Sequence, residues 1–544
     1  LIIGLVSALV AGGFIFLTRD DPAPTFDPAT DPTLAEMGDR VGAQAMELVV
    51  NGNYPERTGE ILLVPTPHAY LGPDANLKAW GTDEPYLFTS HPNPWGYLSR
   101  IPVVVRGPAA KAGTTNDAPV DLTALAPTYA KLLGTDFEAA GKPLPGLDYG
   151  TAPRLVFTIV IDGGGWNVLN RYPDAWPNIA RLMDEGETFT NASIGSFPAQ
   201  TGSIHANIGT GEYPSKHGVP YNFYFENADP QYLEEPTIGD LWDQETNNAA
   251  IVGTISVLSN HLSMIGHGAA LEGGDRDIGV VWDDENHTWT TNQTYYEIPE
   301  YIAEMDYNRL ERYEARNDAR DGSEDGTWFG NPPEDLLEGL RRSSNPAFEK
   351  YQGDDIISVI RNEGLGRDEI ADLFYVQFKS PDQAGHIWNV VNPEIEDVLK
   401  EADAQIGRIV AALDSQVGRD GYVLVLTADH GQQPIATPER GWMINSSEVE
   451  RDVEAAFEIE ARVRSHQLNI TSKVDAKQLD EISRFLGSYT VGDNIPKGVP
   501  GEGRVAESLR DDLVFAGAFP TSWLSKLEPG QFGPSTYAEG TIHP

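Results

Sequence analysis

Apolar runs that stop abruptly at Asp, His and Gly organise this chain. RLVFTIVID (154–162), LFYVQF (373–378) and GYVLVLTAD (421–429) are near-continuous apolar stretches of strand length. Such runs predict strands buried on both faces, as in a parallel sheet covered by helices. EILLVP (60–65) and RIPVVVRG (100–107) predict two more buried strands, and DLTALAPTYAKLLG (121–134) an amphipathic helix stopped by Gly134. IEDVLKEADAQIGRIVAALD (395–414) carries apolar residues at helical spacing: Ile395, Leu399, Ala402, Ile406, Ile409 and Leu413. Strands alternating with helices in this way predict an α/β core with a mostly parallel sheet flanked by helices.

The same pattern divides the chain. Residues 1–17 carry no charge, and as a helix would span about 25 Å, close to a bilayer's hydrocarbon thickness. Residues 1–18 are therefore expected to be a transmembrane anchor, with the body outside the cytoplasm; a cleaved signal peptide would put it there too. A Pro- and Asp-rich tether follows over 19–45, then the units 46–150 and 151–440. Residues 441–544 are polar, helical in SSEVERDVEAAFEIEARVRSH (446–466), and suggest no role.

Charge and composition narrow the function. The chain has 82 acidic and 38 basic side chains, a formal charge of −44. That field repels nucleic acid and anionic lipid headgroups, which excludes a nucleic-acid scaffold or a peripheral membrane binder. A phosphate ester would enter such a protein only where bound cations invert the local field. The absence of cysteine removes disulfides and thiolate chemistry.

The strand ends carry the chemistry. Asp162 follows the first run and precedes three glycines, at the carboxyl end of a strand, where open α/β sheets bind ligands. Asp429 and His430 repeat the arrangement. Asp382 and His386, four apart, reach one ion from a single helical turn. Each pair alone reads as a turn or cap. Together, carboxylates and imidazoles at three strand ends form a donor set that zinc accepts, and buried carboxylates are costly unless paired or metal-bound. In SFPAQTGSIHANIGTGEYPSKHGVPYN (196–222), Thr201 is the nucleophile candidate, because a hydroxyl needs a base or a metal to attack at neutral pH.

That segment resembles the nucleophile segment of the nucleotide pyrophosphatase/phosphodiesterases and threonine-type alkaline phosphatases, which reads F-P-T-x-T-x-x-x-H, then T-G-x-x-P-x-x-H-G. Phe197, Pro198, Thr201, His205, Thr210, Gly211, Pro214, His217 and Gly218 fall in register. PDQAGH (381–386) and ADHG (428–431) are similar to the family's P-D-x-x-G-H and [ST]-D-H-G. The resemblance implies the alkaline-phosphatase-like fold, phosphoester hydrolysis and two divalent metal ions, most simply zinc. One ion would be held by Asp162, Thr201, Asp429 and His430, the other by Asp382, His386 and a third histidine. Thr201 would form a phosphothreonine, with Asn222 stabilising phosphoryl oxygen charge. His205 and His217 would brace the loop.

Two departures matter. The family's closing strand, T-H-G segment and final helix are expected after D-H-G, yet TGEILLVPTPHAYLG, TSHPNPWGYLSRIPVVVRGP and DLTALAPTYAKLLG precede the first strand. The chain thus resembles a circular permutation, which compact folds tolerate because their termini commonly lie close together. It makes His91 the third histidine, with His466 and His543 as competitors. The second departure is at the monoesterases' S-[IV]-K-D-R, whose Lys and Arg clamp a dianion; here Leu258 and Asn260 stand there. Without that fork, unless His261 or His267 replaces it, the expected substrates are phosphodiesters or pyrophosphates of small molecules, lipids or glycans. A monoesterase, a phosphoryl-headgroup transferase and a non-catalytic metal-bound surface protein are the alternatives.

Overall fold

The computed structural model describes residues 24–72, 89–337, 339–437, 440–496 and 502–533. The apolar runs form the middle of one large sheet. Its main strands are β1 (Arg100–Arg106), β2 (Leu155–Ile161), β3 (Glu187–Ser193), β4 (Val252–Ile255), β5 (Asp277–Asp283), β6 (Asp372–Phe378) and β7 (Tyr422–Ala428). They lie in the order β5-β4-β6-β2-β7-β1-β3. The first five are parallel, whereas β1 runs antiparallel to both of its neighbours. The sheet is therefore mixed, with β1 as the reversed strand among these seven.

Every residue of β2, β6 and β7 is buried, which is why their sequences do not alternate. The two faces still separate. Phe157, Ile159 and Ile161 of β2 pack with Ile406, Ile409 and Leu413 of α3 (Pro393–Gln416). Val156 and Val160 face the other way, in one cluster with Tyr129 of α1 (Leu125–Leu133) and Ile204 and Ile208 of α2 (Thr201–Thr210).

Register places the chemistry. Ile161 is level with both Phe378 and Ala428, so Asp162, Lys379 and Asp429 leave three adjacent strands side by side. Because β1 opposes β7, with Val103 across from Thr427, the chain entering β1 arrives from that same edge. This brings the segment containing His91 to the carboxyl ends of the parallel strands.

The outer parts differ from the expectations. Ala461–Arg464, Gln467–Ile470, Ile61–Pro65 and Phe515–Pro520 form a second, four-stranded antiparallel sheet. The EILLVP strand thus belongs to a layer shared with the polar segment after residue 440. The helix expected across 446–466 stops at Phe457, where Glu458 turns left-handed (φ 55°) and the chain enters a strand. The tether is not extended throughout: Leu34–Val41 is a helix started by a Thr33–Glu36 capping box, and Arg40 donates to the Gly487 carbonyl at 2.8 Å. Residues 1–18, the expected anchor, lie outside the described residues; among those described, no helix is long and apolar enough to cross a membrane.

Candidate active site

Asp162 sits at the centre of the strand ends. Its backbone N–H donates to the Phe378 carbonyl at 3.0 Å, and the Gly163 N–H donates to Asp429 Oδ1 at 3.1 Å. Gly163 has φ +72°, and a Cβ there would come within 2.8 Å of Gln432 Nε2 and 3.0 Å of the Asp382 Cα. The glycine run after Asp162 is what lets the backbone pass between the other strand ends.

Two groups of ligand-type atoms converge here. In the first, His430 Nε2 lies 3.4 Å from Asp162 Oδ1 and 3.2 Å from Asp429 Oδ2. In the second, His91 Nε2 and His386 Nε2 each lie 3.3 Å from Asp382 Oδ1. Tetrahedral zinc with bonds of 2.0–2.1 Å separates its ligand atoms by about 3.3 Å, close to each of these paired spacings. The atoms of Asp162, Asp429 and His430 all lie within 4.8 Å of one another, as do those of His91, Asp382 and His430, whereas His386 joins through Asp382. The first group also has no other use for its atoms: Asp162 Oδ1, Asp429 Oδ2 and His430 Nε2 are buried and have no hydrogen-bond partner among the described residues. Such atoms are costly unless a cation meets them.

Each imidazole is oriented from behind. His91 Nδ1 donates to the Ala199 carbonyl at 3.0 Å, His386 Nδ1 to Thr89, and His430 Nδ1 to Gly431 at 2.9 Å. A carbonyl on Nδ1 fixes the tautomer that turns the Nε2 lone pair inward, as metal-bound histidines require. His91 and His430 stack at 3.4 Å between ring centroids, linking the two groups.

Thr201 opens α2 and is buried, so it stands at the positive end of a helix, which favours an anionic group. Asn222 Oδ1 accepts the Gly202 N–H at 2.8 Å; this anchors the amide and leaves its NH₂ to donate elsewhere. His217 Nε2 bonds Asn207 Oδ1 at 2.9 Å, while its Nδ1 accepts from the Val219 N–H, a brace for the loop.

The structure divides the remaining histidines. His261 Nδ1 accepts the Leu258 N–H at 3.1 Å, so Nε2 carries the proton; it lies 3.4 Å from Asp162 Oδ2, within ion-pair range but without a hydrogen bond. His261 therefore backs a carboxylate. His267 is committed on both nitrogens, to Asp240 Oδ2 and the Leu233 carbonyl, each at 2.9 Å, so the expectation that it grips substrate has no geometric basis. His466 is buried edge-on against Phe197, 5.4 Å between centroids, apart from the ligand groups in which His91 stands. His543 lies outside the described residues. Of the two fork positions, Leu258 is 37% exposed and Asn260 is buried.

One residue was not singled out from the sequence. Lys379, 4% exposed, puts Nζ 2.9 Å from Asp162 Oδ2, 2.7 Å from Asp382 Oδ2 and 3.2 Å from Thr201 Oγ1. Its only local signal is a basic residue at a strand end, three before Asp382. Burial alone would raise the Asp162 carboxyl, but Lys379, then His261 and His430, hold it well below the usual range. Burial is likewise outweighed at Asp382, by His386 and Lys379. Burial works against the Lys379 ammonium, yet Asp162, Asp382 and Asp429 keep it protonated. His430 is pulled well above its ordinary value by Asp429 and Asp162 against the effect of burial. A cation entering beside Nε2 would displace that proton.

The chain is similar to known proteins over much of its length. A family model described as type I phosphodiesterase / nucleotide pyrophosphatase matches residues 156–511. Alkaline phosphatase PhoV of Synechococcus elongatus is 25% identical over 381 residues, covering 59% of this chain and 67% of its own length. Alkaline phosphatase PafA of Elizabethkingia meningoseptica is 23% identical, covering 51% and 60%. The chain thus spans about two thirds or less of these relatives. The crystal structure of wild-type alkaline phosphatase PafA superposes with a TM-score of 0.51 at 19% identity, over 68% of this chain and 84% of that one; this is a likeness of fold.

Proposed function

The chain belongs to the type I phosphodiesterase / nucleotide pyrophosphatase family, and from that membership we propose that it is a two-metal phosphoesterase that cleaves phosphodiesters or pyrophosphates through a phosphothreonine at Thr201. The observation that carries this reading is the trio of unsatisfied buried atoms on Asp162, Asp429 and His430, in the pocket where Lys379 links Asp162 to Thr201. Asp162, Asp429 and His430, with Thr201, would hold one divalent ion, and Asp382, His386 and His91 the other. Bound there, such ions supply Lewis-acid stabilisation of oxygen charge and lower the pKa of a coordinated hydroxyl.

The chain's own groups do the rest. Thr201 Oγ1, its proton given up to solvent, attacks phosphorus in line; the ester oxygen opposite it leaves with the bonding electron pair and takes a proton from water. Water later cleaves the Thr201–phosphorus bond, one of its protons returning to Oγ1. The Asn222 NH₂ and the Thr201 backbone N–H face the non-bridging oxygens as their charge shifts. His261 positions Asp162. With Leu258 and Asn260 in place of a Lys/Arg fork, those two positions offer no cation to grip a third phosphoryl oxygen, which favours singly charged esters.

The relatives named alkaline phosphatase favour a second reading, a monoesterase. Zinc-loaded protein assayed on an aryl monoester and the matching diester decides between them: the diester should have the larger kcat/KM by about tenfold or more. Acid quenching during turnover should leave the retained phosphoryl group on the peptide containing Thr201, a phosphate from the monoester and an alkyl phosphate from the diester. Monoester preference by tenfold would select the second reading, and an unmodified Thr201 under steady turnover would end the covalent one.

A further inference from the structure

Lys379 is a buried cation that neither of the two ligand groups accounts for. Its ammonium lies against three oxygens: it donates to Asp162 Oδ2 and Thr201 Oγ1 at 2.9 and 3.2 Å and pairs with Asp382 Oδ2 at 2.7 Å. Asp162 belongs to one group, Asp382 to the other, and Thr201 is the proposed nucleophile, so a single side chain ties the whole site together. An ammonium in a metal pocket has two physical explanations. Either it sits where an ion would otherwise go, or it stands beside the ions as a further cation.

The oxygens separate these explanations. Asp162 turns Oδ1 toward His430 and Oδ2 toward Lys379 and Gln377, whose amide donates to it at 2.7 Å. Asp382 turns Oδ1 toward His91 and His386, and Oδ2 toward Lys379. The ammonium therefore uses the oxygens that His430, His91 and His386 do not face, sharing Asp162 Oδ2 with His261 3.4 Å away, and it leaves Asp162 Oδ1, Asp429 Oδ2 and His430 Nε2 without partners. It does not compete for the ligand atoms. The fork positions meanwhile supply no charge: Leu258 is neutral and exposed, Asn260 neutral and buried.

We propose that Lys379 is a catalytic residue, a fixed third cation that coexists with both metal ions, orients Thr201 Oγ1 and stabilises negative charge developing on that oxygen. This inference rests on the two-metal reading above. Because the ammonium touches the nucleophile and no phosphoryl clamp, it serves mono- and diesters alike. The role is set by charge at a fixed point, since a neutral side chain of similar length cannot offset the carboxylates.

The test uses the full chain loaded with zinc, measuring zinc per chain after gel filtration, melting temperature, and kcat on an aryl phosphate and the matching diester. Lys379→Met should keep the parent's zinc content and lose kcat by about 10- to 100-fold, the range of a charge-assisted contact. The loss should be equal for both esters within threefold. Lys379→Gln, which keeps donors but no charge, is read in parallel in case the Met variant does not fold, and should fall in the same way. A variant that binds an additional zinc, or keeps kcat within threefold of the parent, would show Lys379 to be a stand-in for metal or a bystander. A loss confined to the monoester would make it a phosphoryl clamp and overturn the nucleophile-side role. If the parent itself neither retains zinc nor turns over either ester, the two-metal reading fails and takes this one with it; an active parent with an unaffected variant overturns Lys379 alone.

Discussion

The two halves of the pocket use the same residue types but differ in how far the protein already satisfies them. On the nucleophile side, Asp162, Asp429 and His430 are fully buried, and one ligand atom of each is left without a partner. On the other side, Gln432 Nε2 already donates to Asp382 Oδ1 at 2.6 Å, and the His386 side chain is 16% exposed. Unpaired buried acceptors are the costlier state. On the two-metal reading, the first half would depend on its cation, whereas the second would tolerate losing one, as a site that exchanges water or a leaving group would.

The most severe way to break the nucleophile side is to remove the nucleophile. Thr201→Ala should lower kcat by about 10⁴-fold or more, while the melting temperature stays close to the parent's, because losing a covalent nucleophile cannot be offset by binding. Turnover within tenfold of the parent would mean that the strand-end carboxylates serve another reaction. It would also remove the reason for Asn222 and α2 to face the same point.

Metal removal sharpens the comparison itself. A chelator should release the ion near His386 first and the ion at Asp429 more slowly, giving two kinetic phases in zinc release. His91→Ala should weaken one zinc by about 100-fold and lower activity, with recovery in excess zinc, since two ligands remain and second-sphere support is intact. Asp429→Asn should not recover, because an amide cannot replace the buried charge facing His430. Simultaneous release of both ions, or identical behaviour of the two variants, would erase the distinction between the halves.

How much of this could be read from the sequence follows the length scale of each signal. Asp162, Asp429 and His430 were legible because unbroken apolar strands end on them, and Asp382 and His386 because they share one turn. His91 required the permuted order of the resemblance; the physical cause is the reversal of β1, which no local pattern encodes. Lys379 was illegible, since a lysine after a strand ordinarily reaches water, and only the convergence of Asp162, Asp382 and Thr201 keeps it inside. The second sheet was missed for a related reason: its strands at Ala461–Arg464 and Gln467–Ile470 are four residues long, and the latter pairs with Ile61–Pro65. At Leu34–Val41 the Pro- and Asp-rich composition hid a capping box that the residues themselves spell out.

The smallest expected effect concerns a carboxyl just behind the pocket. Glu349 is fully buried in the helix Pro346–Val359 and accepts the Ser380 N–H at 3.1 Å, two residues from Asp382, but its Oε2 has no partner. Asp382 meets His386 and Lys379 and is held ionised; at Glu349 burial dominates and pushes the carboxyl up to about 8. With the folded value raised, this group's contribution to stability is complete below about pH 4.5, where both states are protonated. Between there and pH 8 the unfolded chain ionises while the folded one keeps its proton, so stability falls as pH rises. Glu349→Gln stays neutral and keeps an acceptor for Ser380. Its melting temperature should match the parent's near pH 5 and exceed it by about 2 °C near pH 8.5, with kcat unchanged. An equal shift at both pH values, or a loss at pH 8.5, would mean that Glu349 ionises in the folded protein, and that the cations confining charge to the pocket reach further than Lys379 and the histidines.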